Sequence, residues 1–357
     1  MRLLIGAGGT GGHIIPALAV ALEMSDRGWN VNFIGNKHSM EEILVHKHQF
    51  KFYPIQVQKI YRRMTLEHLK FPYLFIKSLY LCIKYMTIYK PDAILCTGGF
   101  VSGPVALSSV LLGEKLFFQD GNSYPGLTTR LMARYSKHAF IASETARMYL
   151  KKCNCILTGN PILKYIKLDK SKVNWNEFNL KADTIKIFVI GGSQGSAKIN
   201  KIVSESLNEI LDLNAEIIWQ TGKHHLHKTQ MLISNQKGIF CFDFTDKMSD
   251  FYQMSDIAIS RAGALSIAEL EEHGLPAVFI PLPSAAENHQ YKNAEIQVKK
   301  GCGILLEQQL LTSQTLLQAI KELIDKYQQY KDNLANILPN NATKSIADII
   351  EKDTHLF

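Results

Sequence analysis

Glycine turns that lead into helices are built to hold anions, and this sequence carries three. The run GAGGTGGH contains Gly6, Gly8, Gly9, Gly11 and Gly12 and ends on His13. A second turn runs Gly98-Gly99-Phe100-Val101-Ser102-Gly103-Pro104, and a third is GGSQG, Gly191 to Gly195. Each follows a short apolar run of strand type, so backbone N–H groups at the next helix start would face a ligand. A diphosphate suits such a lining, because its oxygens want many donors and no bulky side chain. The densest constellation is Ser260-Arg261-Ala262-Gly263-Ala264-Leu265-Ser266-Ile267-Ala268-Glu269. Its small residues leave a helix start open to phosphate. Glu269, further along the helix, is placed to accept both hydroxyls of a ribose, where a lone helical glutamate is otherwise plain surface. His13 is a candidate general base, because imidazole titrates near neutrality. A packing or phosphate-orienting role in the first helical turn is the competing reading.

Gly6, Gly8 and Gly11 also satisfy Gly-x-Gly-x-x-Gly, the spacing of dinucleotide-binding turns. That motif needs a carboxylate about 20 residues on, at the end of the second strand, for the ribose. Here the strand ends in Gly35-Asn36-Lys37-His38, which weighs against a nicotinamide enzyme. His224, His225 and His227 lie in a polar segment with no cysteine or carboxylate beside them, so they read as solvated loop and no metal site is expected.

The elements that must hold these turns follow from the pattern. At 357 residues, with 46% hydrophobic and 20% charged side chains, the chain supports about two packed domains. Strands are expected at Leu3–Gly6, Val31–Ile34, Ala93–Cys96, Leu116–Phe118 and His138–Ala142. The rhythm restarts at Ile185–Ile190, Glu216–Trp219, Ile239–Phe242, Ile257–Ile259, Ala277–Ile280 and Ile304–Leu306. Helical patterns at Ile15–Arg27 and Gly126–Tyr135 alternate with the first set. Strands alternating with helices predict an α/β chain of two doubly wound, Rossmann-like domains. The expected bounds are 1–163 and 164–340, with a polar linker over Lys164–Thr184 and a C-terminal helix, about 341–357, crossing back onto the first domain.

The net charge of +8 suggests an anionic partner. Arg63, Lys70, Lys77 and Lys84 recur at heptad spacing through an aliphatic and aromatic segment in which Glu67 is the sole acid between Lys59 and Lys90. Pro72 starts a new helix there, so Lys77 and Lys84 share one face. A basic stripe on an apolar helix predicts an interfacial element on anionic lipid; a buried helix with snorkelling lysines is the alternative. The scarcity of polar readout chemistry argues against nucleic acid. Ala93–Gly113 is uncharged and long enough to span a bilayer, but Gly98-Gly99 and Gly103-Pro104 interrupt it, so strand, turn and helix are expected. Six scattered cysteines without Cys-x-x-Cys spacing, and an N-terminus lacking a signal core, place the chain in the cytosol.

Six motifs in order, GAGGTGGH, GGFVSGP, Gly159-Asn160-Pro161, GGSQGS, RAGALSIAE and Gln290-Tyr291-x-Asn293-Ala294, resemble the MurG family of N-acetylglucosaminyltransferases. The likeness spans residue 6 to about 294. It implies a GT-B fold, with two Rossmann-like domains facing a central cleft, and UDP-N-acetylglucosamine as donor. The implied acceptor is the polyprenyl-diphosphate-linked muramoyl-pentapeptide, lipid I, with inversion to a β-1,4 linkage that gives lipid II. It implies no cofactor or essential metal, a peripheral place on the cytoplasmic face of the cell membrane, and other cell-wall synthesis proteins as further partners. Carried over, the donor would touch Gly192, Ser193, Gln194, Ala264, Leu265, Ser266, Glu269 and Gln290, with Thr245 at the uracil. Asn122 and Thr10-Gly11-Gly12-His13 would face the reacting sugars, and the loops at Gly8, Gly9, Gly98, Gly99 and Ser102 the acceptor and its diphosphate. Two departures stand out. The family's arginine two residues after GNP is here Leu163, followed by Lys164. Its His-Glu-Gln-Asn is here Gln119-Asp120-Gly121-Asn122, which makes Asp120 the alternative base. Another GT-B enzyme, such as a glycolipid synthase or a UDP-sugar epimerase, and a non-catalytic UDP-sugar-binding membrane protein are the rival readings.

Overall fold

A computed structural model describes residues 1–58, 70–192, 194–233, 236–243, 245, 247–337 and 339–355. The chain divides into two compact units. One comprises Met1–Lys164 together with the segment from Asn340 onward; the other is Tyr165–Pro339.

In the first unit, strands β1 (Arg2–Gly6), β2 (Asn30–Asn36), β3 (Lys51–Ile55), β4 (Ala93–Cys96), β5 (Leu116–Asp120), β6 (His138–Ile141) and β7 (Cys155–Leu157) form one parallel sheet in the order β3-β2-β1-β4-β5-β6-β7. Alternate residues of each strand face opposite layers, as the two-residue strand period requires. Leu3, Ile5, Phe33 and Leu95 pack on one face with Ile14, Ala17, Leu18 and Ala21 of helix Gly11–Asp26. Ile346, Ala347 and Ile350 of helix Ala342–His355 join that same core. Leu4, Ile34, Ile94 and Phe118 face the other way, against Cys82 and Met86 of helix Phe71–Tyr89 and Val105 and Ala106 of helix Ser102–Leu112.

The second unit repeats the plan. Strands β8 (Ile185–Ile190), β9 (Ala215–Gln220), β10 (Ile239–Phe242), β11 (Ile257–Ser260), β12 (Ala277–Phe279) and β13 (Gly303–Leu305) form a parallel sheet in the order β10-β9-β8-β11-β12-β13. Ile187, Val189 and Ile257 pack with Leu316, Ile320 and Leu323 of helix Ser313–Asp325. Phe188, Ile190 and Ala258 pack with Phe251, Tyr252 and Leu270.

The strand order reverses between β1 and β4 in the first sheet and between β8 and β11 in the second. Ligands of open α/β sheets bind outside the strand C-termini at such a reversal. All four small-residue loops follow those four strands: GAGGTGG after β1, GGFVSG after β4, GGSQGS after β8 and RAGALS after β11. The fold therefore brings each pair of loops to one switch point.

Helix Phe71–Tyr89 begins with Pro72 in its first turn and buries Ser78, Cys82, Met86 and Tyr89. Its outer side exposes Tyr73, Ile76, Tyr80 and Ile88 beside the exposed Lys77 and Lys84. Lys59, Arg63 and Glu67 lie outside the described residues. Ala93–Gly113 is a strand, a turn and a helix. Among the described residues, no helix is long and apolar enough to cross a membrane.

Candidate active site

In the first unit, the turn after β4 needs glycine. Gly98 and Gly99 have φ of +85° and +76°, in the left-handed region that favours glycine, and a Cβ on Gly99 would lie 2.3 Å from the Gly8 carbonyl oxygen. This close approach of two turns clamps His13 between them. The His13 Nδ1 lies 2.8 Å from the Thr97 carbonyl oxygen, and the Thr97 hydroxyl donates to the His13 carbonyl at 2.9 Å. A carbonyl only accepts, so Nδ1 carries the proton of this hydrogen bond, and in the neutral imidazole the basic nitrogen is then Nε2. Thr10 caps helix Gly11–Asp26 in an extended conformation without a side-chain bond, and Gly9 and Thr10 are exposed.

Gly8 is buried, and a Cβ there would lie 2.4 Å from Glu41 Oε1. Glu41 is 3% exposed and its Oε1 also accepts from the Asn36 N–H at 3.3 Å. A carboxylate thus does reach the end of β2, delivered from the following helix Met40–Lys47, where the sequence pattern showed none. Ser102 is fully buried, and its hydroxyl donates to the carbonyls of Gly6 (3.1 Å) and Gly98 (2.6 Å), so it ties the turn to β1.

Asp120 ends β5 and is buried. Its Oδ1 accepts from the backbone N–H and side-chain amide of Asn122, each at 3.1 Å. Its Oδ2 accepts from the Gly126 N–H at 2.9 Å and the Thr129 hydroxyl at 2.8 Å. Four donors on one carboxylate hold the loop that carries Asn122. Asn160 of the GNP motif packs beneath the same loop, its Oδ1 accepting from Gln119 Nε2 at 2.9 Å. Leu163 packs against the first core, and Lys164 pairs with Glu23 at 2.9 Å and Asp26 at 3.3 Å.

In the second unit, Gly191 and Gly195 of the turn after β8 meet backbone rather than side chains. A Cβ on Gly195 would lie 2.1 Å from the Thr221 carbonyl oxygen, and one on Gly191 would lie 2.6 Å from the Ser196 nitrogen. At Gly192, by contrast, a Cβ would meet nothing within 4 Å among the described residues. Gln194 is exposed, and Ser193 lies outside the described residues. Helix Ala264–Glu272 starts at Gly263 with no side-chain cap, and Ala264, Leu265 and Ser266 are half-buried. First-turn N–H groups without a capping side chain are the donors an anion uses.

Glu269 is half-buried on this helix, and its Oε2 accepts from the Tyr252 hydroxyl at 2.9 Å. Burial pushes its carboxyl up to about 7, against the opposing pull of the tyrosine hydrogen bond. Gln290 Oε1 accepts from the Leu282 N–H at 2.9 Å, and Asn293 donates to the Ala262 carbonyl at 3.2 Å, so helix His289–Lys299 is tied to the loops after β12 and β11. The Thr245 hydroxyl accepts from the Lys247 N–H at 3.0 Å.

Arg261 had no role assigned from the sequence. Its Nη2 donates to the Ser196 hydroxyl and Gln308 Oε1, both at 2.6 Å, and its Nη1 to the carbonyls of Ile280 and Pro281 at 3.0 and 3.1 Å. Burial lowers its pKa to about 10, so it is charged at neutral pH. It fastens the loops after β8, β12 and β13 around one cation. Nothing in its local sequence marks those partners, which come from three distant loops.

Residues 3–141 match the Glycosyltransferase family 28 N-terminal domain and residues 186–352 the corresponding C-terminal domain. A relative from Flavobacterium psychrophilum is 35% identical over 98% of this chain and 97% of its own. It is named UDP-N-acetylglucosamine--N-acetylmuramyl-(pentapeptide) pyrophosphoryl-undecaprenol N-acetylglucosamine transferase, as is a Bacillus subtilis relative that is 30% identical over 93% of both chains. The chain belongs to the MurG family. The crystal structure of Acinetobacter baumannii MurG is similar at a TM-score of 0.76 and 26% identity, covering 98% of this chain and 99% of that one. A UDP-GlcNAc 2-epimerase from Neisseria meningitidis, at a TM-score of 0.68 and 16% identity, shares the fold alone. As in MurG and other GT-B glycosyltransferases, two parallel α/β sheets carry the loops.

Proposed function

We propose that this MurG-family chain transfers N-acetylglucosamine from UDP-N-acetylglucosamine to the muramoyl 4-hydroxyl of lipid I, forming lipid II. The observation that carries the reading is near-full-length identity of 30–35% to relatives that share this one name. The second unit receives the donor. Helix Ala264–Glu272 and the open turn at Gly192 supply N–H groups to the diphosphate, and Glu269 accepts from the ribose hydroxyls. The backbone at Thr245 meets the uracil, and Gln194 and Gln290 contact the sugar-diphosphate.

The first unit supplies the acceptor side and the base. His13 Nε2 takes the proton of the attacking hydroxyl as the anomeric bond to the diphosphate breaks. UDP leaves with its new charge held by the helix-start donors. Of the two candidate bases, His13 is favoured because Asp120 already accepts four hydrogen bonds. A carboxylate so occupied is a scaffold for the loop that carries Asn122.

The chain works as a peripheral protein on the cytoplasmic membrane face. The exposed Tyr73, Ile76, Tyr80 and Ile88 with Lys77 and Lys84 support contact with anionic lipid, since long apolar side chains on a solvent face otherwise carry a cost. The activity is tested with purified protein, UDP-N-acetylglucosamine and a short-chain lipid I analogue. Stoichiometric UDP and a β-1,4 disaccharide product are expected. Release of UDP or a 2-epimer without disaccharide would reject the reading.

A further inference from the structure

Tyr252 sits in helix Met248–Met254, four-square in the interior of the second unit and 1% exposed. Its ring is fixed from two sides. Phe188 of β8 meets it edge-on, with centroids 5.2 Å apart and planes at 72°. His273 stacks on it at 5.3 Å and 11°, and Tyr165 in turn lies 4.4 Å from His273. Burial holds His273 down at about 4, so the stacked ring is neutral and adds no positive charge near the carboxylate. Burial also raises the Tyr252 hydroxyl well above its ordinary value, so it remains a donor. That hydroxyl lies 2.9 Å from Glu269 Oε2.

We propose that Tyr252 is a positioning residue for the donor's ribose: its clamped hydroxyl fixes the Glu269 carboxylate in the orientation and ionised form that receives the ribose hydroxyls. The proposal rests on the reading of Glu269 as the ribose acceptor. A glutamate side chain turns about three bonds, and ordering it only when ligand arrives weakens binding. A rigid aromatic donor on a separate helix removes that freedom beforehand. The same bond favours the charged carboxylate over the neutral form that burial promotes, and a charged acceptor makes the stronger hydrogen bond to a diol. Tyr252 and Glu269 come from different helices and share no short motif, so only the fold brings them together. Tyr252 never touches the donor in this scheme; it acts through Glu269.

The test measures binding of UDP and of 2′-deoxy-UDP to the full chain, with Tyr252→Phe as the variant. Phenylalanine keeps the ring and its stacking partners and removes one oxygen. Wild type should prefer UDP over the deoxy ligand. The variant should bind UDP about tenfold more weakly while its affinity for 2′-deoxy-UDP, which keeps only the 3′-hydroxyl for Glu269, falls less, so the preference narrows. In turnover the defect should fall on the donor KM, with kcat moving less. Equal weakening of both ligands, or of neither, would overturn the positioning role alone. A wild type that binds both ligands equally would overturn it together with the ribose reading of Glu269. A double-mutant cycle supplies the second readout: in a Glu269→Gln background the effect of Tyr252→Phe on UDP affinity should vanish. A full tenfold effect persisting there would contradict the proposal.

Discussion

The two units carry parallel sheets of one plan, seven strands and six, each with its strand order reversing at the first strand, yet their glycine turns are packed differently. In the first unit three turn glycines make room for side chains, Gly98 for the His13 ring, Gly8 for Glu41 and Gly9 for Phe100, while Gly99 meets the Gly8 carbonyl. In the second they make room for backbone, with Gly195 on Thr221 and Gly191 on Ser196, and leave the space beside Gly192 open. The first arrangement aims a titratable side chain. The second leaves space beside Gly192, and helix Ala264–Glu272 starts without a side-chain cap. On the proposed reading one fold serves two chemistries, proton transfer and anion binding, and the difference lies in what the missing Cβ admits.

If that division holds, damage to the first unit's turn should reach rate rather than donor affinity. His13→Ala should lower kcat by about 10²–10⁴ with the donor KM little changed. Steady-state kinetics on a short-chain acceptor checks it, and near-full turnover would return His13 to a packing role.

Lys77→Glu with Lys84→Glu should weaken binding to anionic vesicles by roughly a hundredfold at low salt, with activity on a soluble acceptor preserved. Co-sedimentation at two salt concentrations reads this out. Loss of soluble activity would show instead that the lysines serve the fold.

On the anion-binding side, Glu269→Ala should raise the donor KM about ten- to a hundredfold, from the loss of roughly 1.5–3 kcal/mol of charge-assisted hydrogen bonding. The carboxyl sits near 7 because burial raises it. Ribose hydroxyls prefer the ionised form, so donor affinity should be full above pH 7 and fall as pH drops through it. The slope should approach about tenfold per unit well below that value. Glu269→Gln should flatten the dependence, and a slope that persists in that variant would assign it to another group.

The smallest effect belongs to Asp120→Asn. An amide turns one acceptor of the four-donor cluster into a donor and should lower stability by about 1–3 kcal/mol, read as a fall of a few degrees in Tm. Turnover per folded molecule should fall far less than in His13→Ala. A collapse in kcat with unchanged Tm would make Asp120 the base.

The central strands were legible in the sequence because strands buried on both faces read as continuous apolar runs. The edge strands of the first sheet were not, whereas those of the second, Ile239–Phe242 and Gly303–Leu305, read as apolar runs. Lys51–Ile55 contains Pro54 and alternates polar with apolar residues, which an outer strand tolerates, and Cys155–Leu157 is three residues long. Helix Gly11–Asp26 starts ahead of the expected Ile15, because Gly11 and Gly12 are poor helix formers that the Thr10 turn nevertheless draws in. The candidate site is legible as candidates where it is made of local motifs: the glycine turns, His13 and Glu269. It was hidden where partners come from distant segments. Glu41 reaches Gly8 from the next helix, Arg261 gathers three loops, and Tyr252 meets Glu269 across two helices.

The division between the two units is tested most directly by calorimetric titration of UDP into wild type, His13→Ala and Glu269→Ala, with no acceptor present. The account predicts that His13→Ala binds UDP as wild type does while its turnover is lost, and that Glu269→Ala loses about ten- to a hundredfold in affinity. Weak UDP binding by His13→Ala together with wild-type binding by Glu269→Ala would contradict it.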